Sequence, residues 1–243
     1  MRRNQGARQR PFSFLAGLLL CGLAAPAFAA TMPPVQMKVV DEQDGSPVAG
    51  AFVLFSAGAH EGTFTGHGGQ TALLFAAEAV TDTAGELRIA PQEFSTQPFF
   101  LNTNLHNPQM VLFKPGYVAV NLINYRRIIA ERQDVTTWMY DQQTIKMKRA
   151  TTDTETARAL DAAASLVRQS VDLKSCSWKK IPRFLVAVHR AVADWDRKRP
   201  SLADQSLRIS EVRSTLGDIL ANDAVFAQHG CGSPKAFFGQ YLQ

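Results

Sequence analysis

His60, Glu61 and His67 fall in one glycine-rich stretch, Gly58-Ala59-His60-Glu61-Gly62 followed by Thr65-Gly66-His67-Gly68-Gly69. His106 stands in a second long stretch between apolar runs. Neutral imidazoles and a carboxylate suit zinc or copper, and loop glycines let a backbone fold to gather them. His60, His67 and His106 are therefore the candidate metal ligands. The opposing reading is a solvated loop: His-Glu-Gly lacks the second histidine one helical turn on that a metalloprotease helix uses. Nucleophilic catalysis has less to draw on. No serine lies in a Gly-x-Ser-x-Gly elbow. No cofactor is expected, and the expectation is a non-enzyme.

Phe94, Phe99 and Phe100 stand close to Asn102, Asn104 and Asn107. Aromatic rings beside amides suit sugar or peptide contact, while anchoring of the segment by its phenylalanines is the plainer use. Trp178, Phe184, Trp195, Phe237 and Phe238 recur at core spacing in a helical pattern and are expected in a core. Lys146, Lys148, Arg149, Arg126 and Arg127 read as solvated strand ends.

The start of the chain changes the charge argument. Arg2, Arg3, Arg8 and Arg10 precede an apolar run from Phe14 to Leu23, and Ala27-Phe28-Ala29 forms an A-x-A cleavage site. Residues 1–29 thus read as a secretory signal peptide. The apolar run is shorter than the roughly 20 residues of a membrane span, and no span is expected downstream. The chain has 26 Lys+Arg and 21 Asp+Glu; four of the arginines lie in the leader and no acid does, which leaves 22 against 21. A nearly neutral mature chain gives no support to a nucleic-acid partner. Cys21 leaves with the leader, and Cys176 and Cys231 remain as an even pair in an exported chain. They are expected to form a disulfide. The expected location is periplasmic or secreted.

Texture divides the rest near residue 150. Before it, short alternating runs are punctuated by Gly and Pro: Val35-x-Met37-x-Val39, Ala51 to Phe55, Leu87-x-Ile89, Met110 to Phe113, Tyr117 to Leu122 and Thr144 to Lys148. Period-two alternation between turn residues predicts strands. After residue 150, apolar residues recur at helical spacing. Thr152-Asp153-Thr154-Glu155 offers a cap with acids in the first turn, and the stripe Ala157, Leu160, Ala164, Val167, Val171 follows. A second helix is predicted from Pro182 through Trp195, a third through Leu207, Val212, Leu216 and Ile219, and a fourth from Ser233-Pro234. The cysteines fall between helices one and two and between three and four.

Three turn-and-strand pieces together resemble a known family. They are Gly45-Ser46-Pro47-Val48-Ala49-Gly50-Ala51, Thr81-Asp82-Thr83-Ala84-Gly85-Glu86-Leu87, and Pro115-Gly116-Tyr117. The combination resembles the carboxypeptidase regulatory-like domain, a transthyretin-like β-sandwich, over about residues 35–125. The resemblance implies a sandwich with extra segments at 58–79 and 90–109, expected as long loops. It implies no catalytic residues; the Tyr-Arg-Gly-Ser end of the purine-pathway hydrolase that shares the fold is absent.

The expected organisation is a leader at 1–29, a β-sandwich domain at 30–150 and a helical domain at 151–243, an α+β chain. The expected function is a non-enzymatic binding or scaffold protein of the cell envelope. Its partner would be an envelope protein or a peptide, one route being strand addition at a sheet edge. Two alternatives stay open: a metal-handling protein or enzyme built on the His60/His67 loop, and a carbohydrate-binding module using Phe99, Phe100 and Asn102. The sequence sets no oligomeric state.

Overall fold

The computed structural model of the protein describes residues 28–61, 71–96, 103–105, 108–124, 138–170, 176–202 and 213–243. The chain is α+β, with strands first and helices after. The strands are β1 (Phe28–Met32), β2 (Val35–Asp41), β3 (Phe52–Glu61), β4 (Thr71–Val80), β5 (Glu86–Ile89), β6 (Gln92–Thr96), β7 (Thr103–Leu105), β8 (Gln109–Phe113), β9 (Val120–Ile123) and β10 (Thr144–Met147). The helices are α1 (Asp153–Ser170), α2 (Pro182–Lys198), α3 (Thr215–Ala221), α4 (Asp223–Gln228) and α5 (Pro234–Leu242), with short 3-10 turns at Ser177–Lys180 and Arg199–Ser201.

One sheet runs β10-β2-β5, with β10 parallel to β2; the other runs β4-β3-β8-β9, with β7 also paired to β3. β1 and β6 form a separate antiparallel pair. Alternation decides what faces what. Val53, Phe55 and Ala57 of β3 and Met110 and Leu112 of β8 meet Val35, Met37, Val39, Leu87 and Met147 from the other sheet. Phe55 lies at the centre, 5.2 Å from the Phe75 ring and 5.0 Å from Trp138. The intervening residues Leu54, Val111 and Phe113 face the opposite way and share a second core with α1 and α2, among them Leu160, Ala164, Phe184 and Val188. The larger sheet is thus covered on both faces. This explains why β8 reads as a continuous apolar run, Met110 to Phe113, rather than a half-polar one.

The first two turn pieces are hydrogen-bonded to each other. The buried Thr81 hydroxyl donates to the Val48 carbonyl at 2.6 Å and accepts from the Ala51 N–H at 2.8 Å. Asp82 Oδ1 accepts from the N–H groups of Ala84 and Glu86, closing the turn to β5. Gly85 sits at φ +73°, where a Cβ would stand 2.3 Å from the Val39 carbonyl oxygen. Only glycine fits that approach.

The helical layer closes around Trp178, which is fully buried with its ring 5.2 to 5.9 Å from Phe237, Phe238 and Phe226. The Cys176–Cys231 disulfide is formed, with Cα atoms 5.5 Å apart. It ties the segment before α2 to the turn between α4 and α5. Thr152 caps α1 by accepting the Glu155 N–H, and Ser233 caps α5 by accepting that of Ala236.

Several expectations change. The 58–79 stretch is not one long loop: β3 runs on to Glu61 and β4 starts at Thr71. Ladder pairing and an apolar run, Leu73-Leu74-Phe75-Ala76, outweigh the local glycines. The 90–109 stretch carries β6 and β7, and Phe94 is buried in the sandwich core. Leu207 and Val212 lie outside the described residues, and the described third helix starts at Thr215. α4 was not foreseen; it follows α3 after the single hinge residue Asn222. Strand β1 includes Phe28 and Ala29 of the expected leader, so cleavage after Ala29 leaves the pairs Ala30–Phe94, Thr31–Glu93 and Met32–Gln92.

Candidate functional site

β8 ends at Phe113, and the Lys114–Tyr117 turn closes with the Tyr117 N–H on the Lys114 carbonyl. Gly116 takes φ +84° at this corner. The turn overhangs the junction of α1 and α2 and creates two clefts. The first, of 180 Å³, has Phe113, Pro115, Tyr117, Leu160 and Trp195 among its walls, with Lys114 and Lys198 at its rim. The second, of 350 Å³, lies against Phe52, Val186, Arg183, Arg190 and Tyr241. Pro115, Ala191 and Asp194 belong to both. The two clefts are neighbours along α2, each with apolar and charged residues in its walls.

The charges of these clefts are held in place. Lys114 Nζ donates to the Ala49 carbonyl at 2.5 Å and stands 5.5 Å from the Tyr117 ring centroid. Lys198 pairs with Asp153 at 2.5 Å, and Asp194 pairs with Arg197. Arg190 donates to the carbonyls of Tyr241 and Gln243 at the end of α5. Trp195 is buried, and among the described residues its indole N–H has no hydrogen-bond partner.

Behind the turn, the Asp41 carboxylate is shielded from solvent. Its Oδ2 accepts from Arg149 Nε at 2.5 Å and from the Tyr117 hydroxyl at 2.9 Å, and its Oδ1 from the Gln43 N–H. Arg149 above all, then the Gln43 N–H, holds the Asp41 pKa at about 2. Arg149 also reaches Asp44 at 3.3 Å. Arg149, expected as a solvated strand end, is half exposed, and it also ties β2 to the turn that roofs the clefts. Arg126 and Arg127 lie outside the described residues.

A third cleft, of 280 Å³, lies between α2 and α3. In it His189 Nδ1 and Ser214 Oγ are 2.9 Å apart. Burial, then the charge of Arg190, lowers the His189 pKa. Ser214 Oγ also accepts from the Gly217 N–H as the cap of α3. Among the described residues no carboxylate is hydrogen-bonded to His189, so the pair has no third group orienting the ring, as a serine nucleophile and its base would.

The structure places the expected ligands unevenly. His60 lies on β3, paired with Thr71 on one side and Asn104 of β7 on the other. His67 and His106 lie outside the described residues, as do Phe99, Phe100, Asn102 and Asn107. Among the described residues no group of three His, Cys, Asp or Glu side chains is arranged to hold a metal. No described helix is long and apolar enough to cross a membrane. The clefts along α2 were not foreseen. Their signal was the Pro-Gly-Tyr turn, but the α2 face beneath it read only as core.

No protein-family model matches the chain, and no curated protein does. Among solved structures, a 3-chlorocatechol 1,2-dioxygenase from Rhodococcus opacus aligns with a TM-score of 0.30 and 14% identity, over 52% of this chain and 62% of that one. A 9R-lipoxygenase from Cyanothece aligns with a TM-score of 0.23 and 13% identity, over 70% of this chain and 29% of that one. Likenesses at these scores carry no argument about fold or chemistry.

Proposed function

We propose that this chain is an exported, non-enzymatic binding protein of the cell envelope, periplasmic or secreted, that seats a peptide segment of another envelope protein. In this reading the N-terminal half is a carboxypeptidase regulatory-like sandwich and the helices supply the other wall of the binding clefts. The observation that carries it is the pair of adjacent clefts that share Pro115, Ala191 and Asp194. Ligand sites are concave, mostly apolar, and fixed by a few polar groups, and these clefts have that composition. The disulfide fits an oxidising compartment. The Ser214–His189 pair is a helix cap in this reading, and no hydrolase activity is expected.

The test is to block the clefts. Asp194 belongs to both clefts, and its side chain is 67% exposed, so Asp194→Trp fills the opening without touching the core. Peptides selected from a display library against the mature protein are titrated by calorimetry into both proteins. Binding to the native protein and its loss in Asp194→Trp, with an unchanged circular dichroism spectrum, supports the reading. Failure to select any peptide, or equal binding by the variant, overturns it.

A further inference from the structure

We propose that the His189–Ser214 contact is a proton-sensitive clasp between α2 and α3, which holds the first turn of α3 while the imidazole is neutral and releases it when the ring takes up a proton. The clasp lies outside the clefts under the Lys114–Tyr117 turn and does not depend on what they bind.

The geometry fixes which group donates. Ser214 precedes α3, and its Oγ accepts the Gly217 N–H. The hydroxyl keeps one hydrogen of its own to donate. Among the described residues its one acceptor is His189 Nδ1, at 2.9 Å. Neutral His189 therefore accepts at Nδ1 and carries its hydrogen on Nε2. The ring also lies against the turn it holds, since a Cβ on Gly217 would stand 3.9 Å from His189 Cε1. Leu216 and Ile219 of α3 are fully buried in the core that includes Val188 and Val192 of α2. α3 is only 7 residues long. A helix that short depends on its contacts rather than on its own hydrogen bonds.

A proton on Nδ1 reverses the bond. An imidazolium has two donors and no acceptor. The Ser214 oxygen must then take both the ring N–H and the Gly217 N–H, and its own hydrogen loses its acceptor. The next residue, Thr215, is buried with its hydroxyl already unpaired among the described residues. The charge is also poorly placed. It would stand at the N-terminal end of α3, where backbone N–H groups disfavour a cation. The ring is half-buried, and that burial, then the charge of Arg190, opposes the proton. The charged groups lining the cleft are Asp196 of α2, and Arg213 and Asp218 from the α3 side; α1 and α5 contribute none. Asp196 is paired with Arg199. Among the described residues neither carboxylate is hydrogen-bonded to the ring, so neither replaces the Ser214 bond.

The test follows the mature, disulfide-bonded protein by NMR from about pH 7.5 to about pH 5, above the range in which Asp41 and Glu155 titrate. The His189 ring, assigned through its bonds to the backbone, is expected to titrate with a midpoint below 6.5. Hydrogen exchange at the Gly217 amide, corrected for the intrinsic rate, is expected to lose about three- to tenfold of its protection through that midpoint, the scale of one hydrogen bond. The α1 amides, Val167 among them, are expected to lose less. His189→Asn sets an amide oxygen where Nδ1 stood and is expected to keep Gly217 protection level over the range. Unchanged Gly217 protection while the ring titrates overturns the clasp, as does a ring that stays neutral throughout. Equal losses in α1 and α3 overturn it as well, because they mark a weakening of the whole molecule rather than release of one turn. The native titration needs no variant, so a misfolded His189→Asn leaves it decisive.

Discussion

Glu78 of β4 accepts the backbone N–H of Phe184 at 2.8 Å, in the first turn of α2. Its other oxygen accepts the Arg183 N–H at 3.2 Å and Arg183 Nε at 3.0 Å. The residue before α2, Ile181, has no side-chain acceptor, and Pro182 has no N–H to satisfy. A strand residue thus caps a helix that follows it by more than a hundred positions, and it holds the cleft wall on the sheet. Glu78→Ala is expected to lower unfolding stability by about 1–2 kcal/mol, the scale of a lost N-cap. The exposed Arg183 pairing adds little. Glu78→Gln, which keeps an acceptor, is expected to lose less. Urea unfolding measures both; equal midpoints for the native protein and Glu78→Ala would contradict this role.

Acid is expected to loosen the sandwich through Asp41. Its folded pKa of about 2 lies below the ordinary 3.8, and Glu155, bonded to Lys148 and Thr151, is held at about 2 against 4.5. A carboxylate lowered on folding stabilises the folded state where it is ionised in both states. That contribution is fully present above the unfolded value and is lost as pH falls through the folded one. Urea midpoints are expected to fall modestly below about pH 6.5, where unfolded His189 takes up a proton that the folded one resists, and more steeply between about 4.5 and 2 as the carboxylates titrate. Asp41→Asn is expected to start lower and to fall less. A native midpoint that is flat across that window would contradict the assignment.

Reduction is expected to destabilise the helical layer. The disulfide closes a separation of 55 residues, which the chain-entropy account places at about 4 kcal/mol. The Cys176→Ala/Cys231→Ala double variant should lose stability of that order in urea, with near-native circular dichroism at low denaturant. A loss under about 1 kcal/mol would show that the reduced chain is already constrained.

What the sequence made legible was local. Thr81, Asp82 and Gly85 announced a turn because turn chemistry is written in adjacent residues, and the structure adds that Thr81 also joins that turn to Val48 and Ala51. The cysteine pairing followed from number and compartment. Long-range partnerships were not legible. Glu78 sits in an apolar run as one polar residue, with nothing nearby to reveal the helix it caps. Arg149 is half exposed, but its pairing with Asp41 was not legible because the two are 108 positions apart. Glycines around His60 suggested a loop where pairing of β3 with β4 and β7 makes a strand.

Export carries its own expectation. The envelope fraction should yield a mature chain beginning at Ala30, which keeps Met32 in the sandwich core and three pairs of β1. N-terminal sequencing checks it. An intact Met1 start in the cytoplasm would contradict export.

Binding by this protein is expected where the sandwich turn meets α2. Backbone NMR shift mapping of the mature protein with a selected peptide tests it most directly. Shifts confined to Phe113–Tyr117 and to the α1 and α2 residues lining the clefts, and absent in Asp194→Trp, are the predicted result. Shifts concentrated instead around His60 and the 62–70 segment, and removed by a chelator or by His60→Ala/His67→Ala, would contradict the claim and make the histidine-bearing end of the β3–β4 hairpin the functional site.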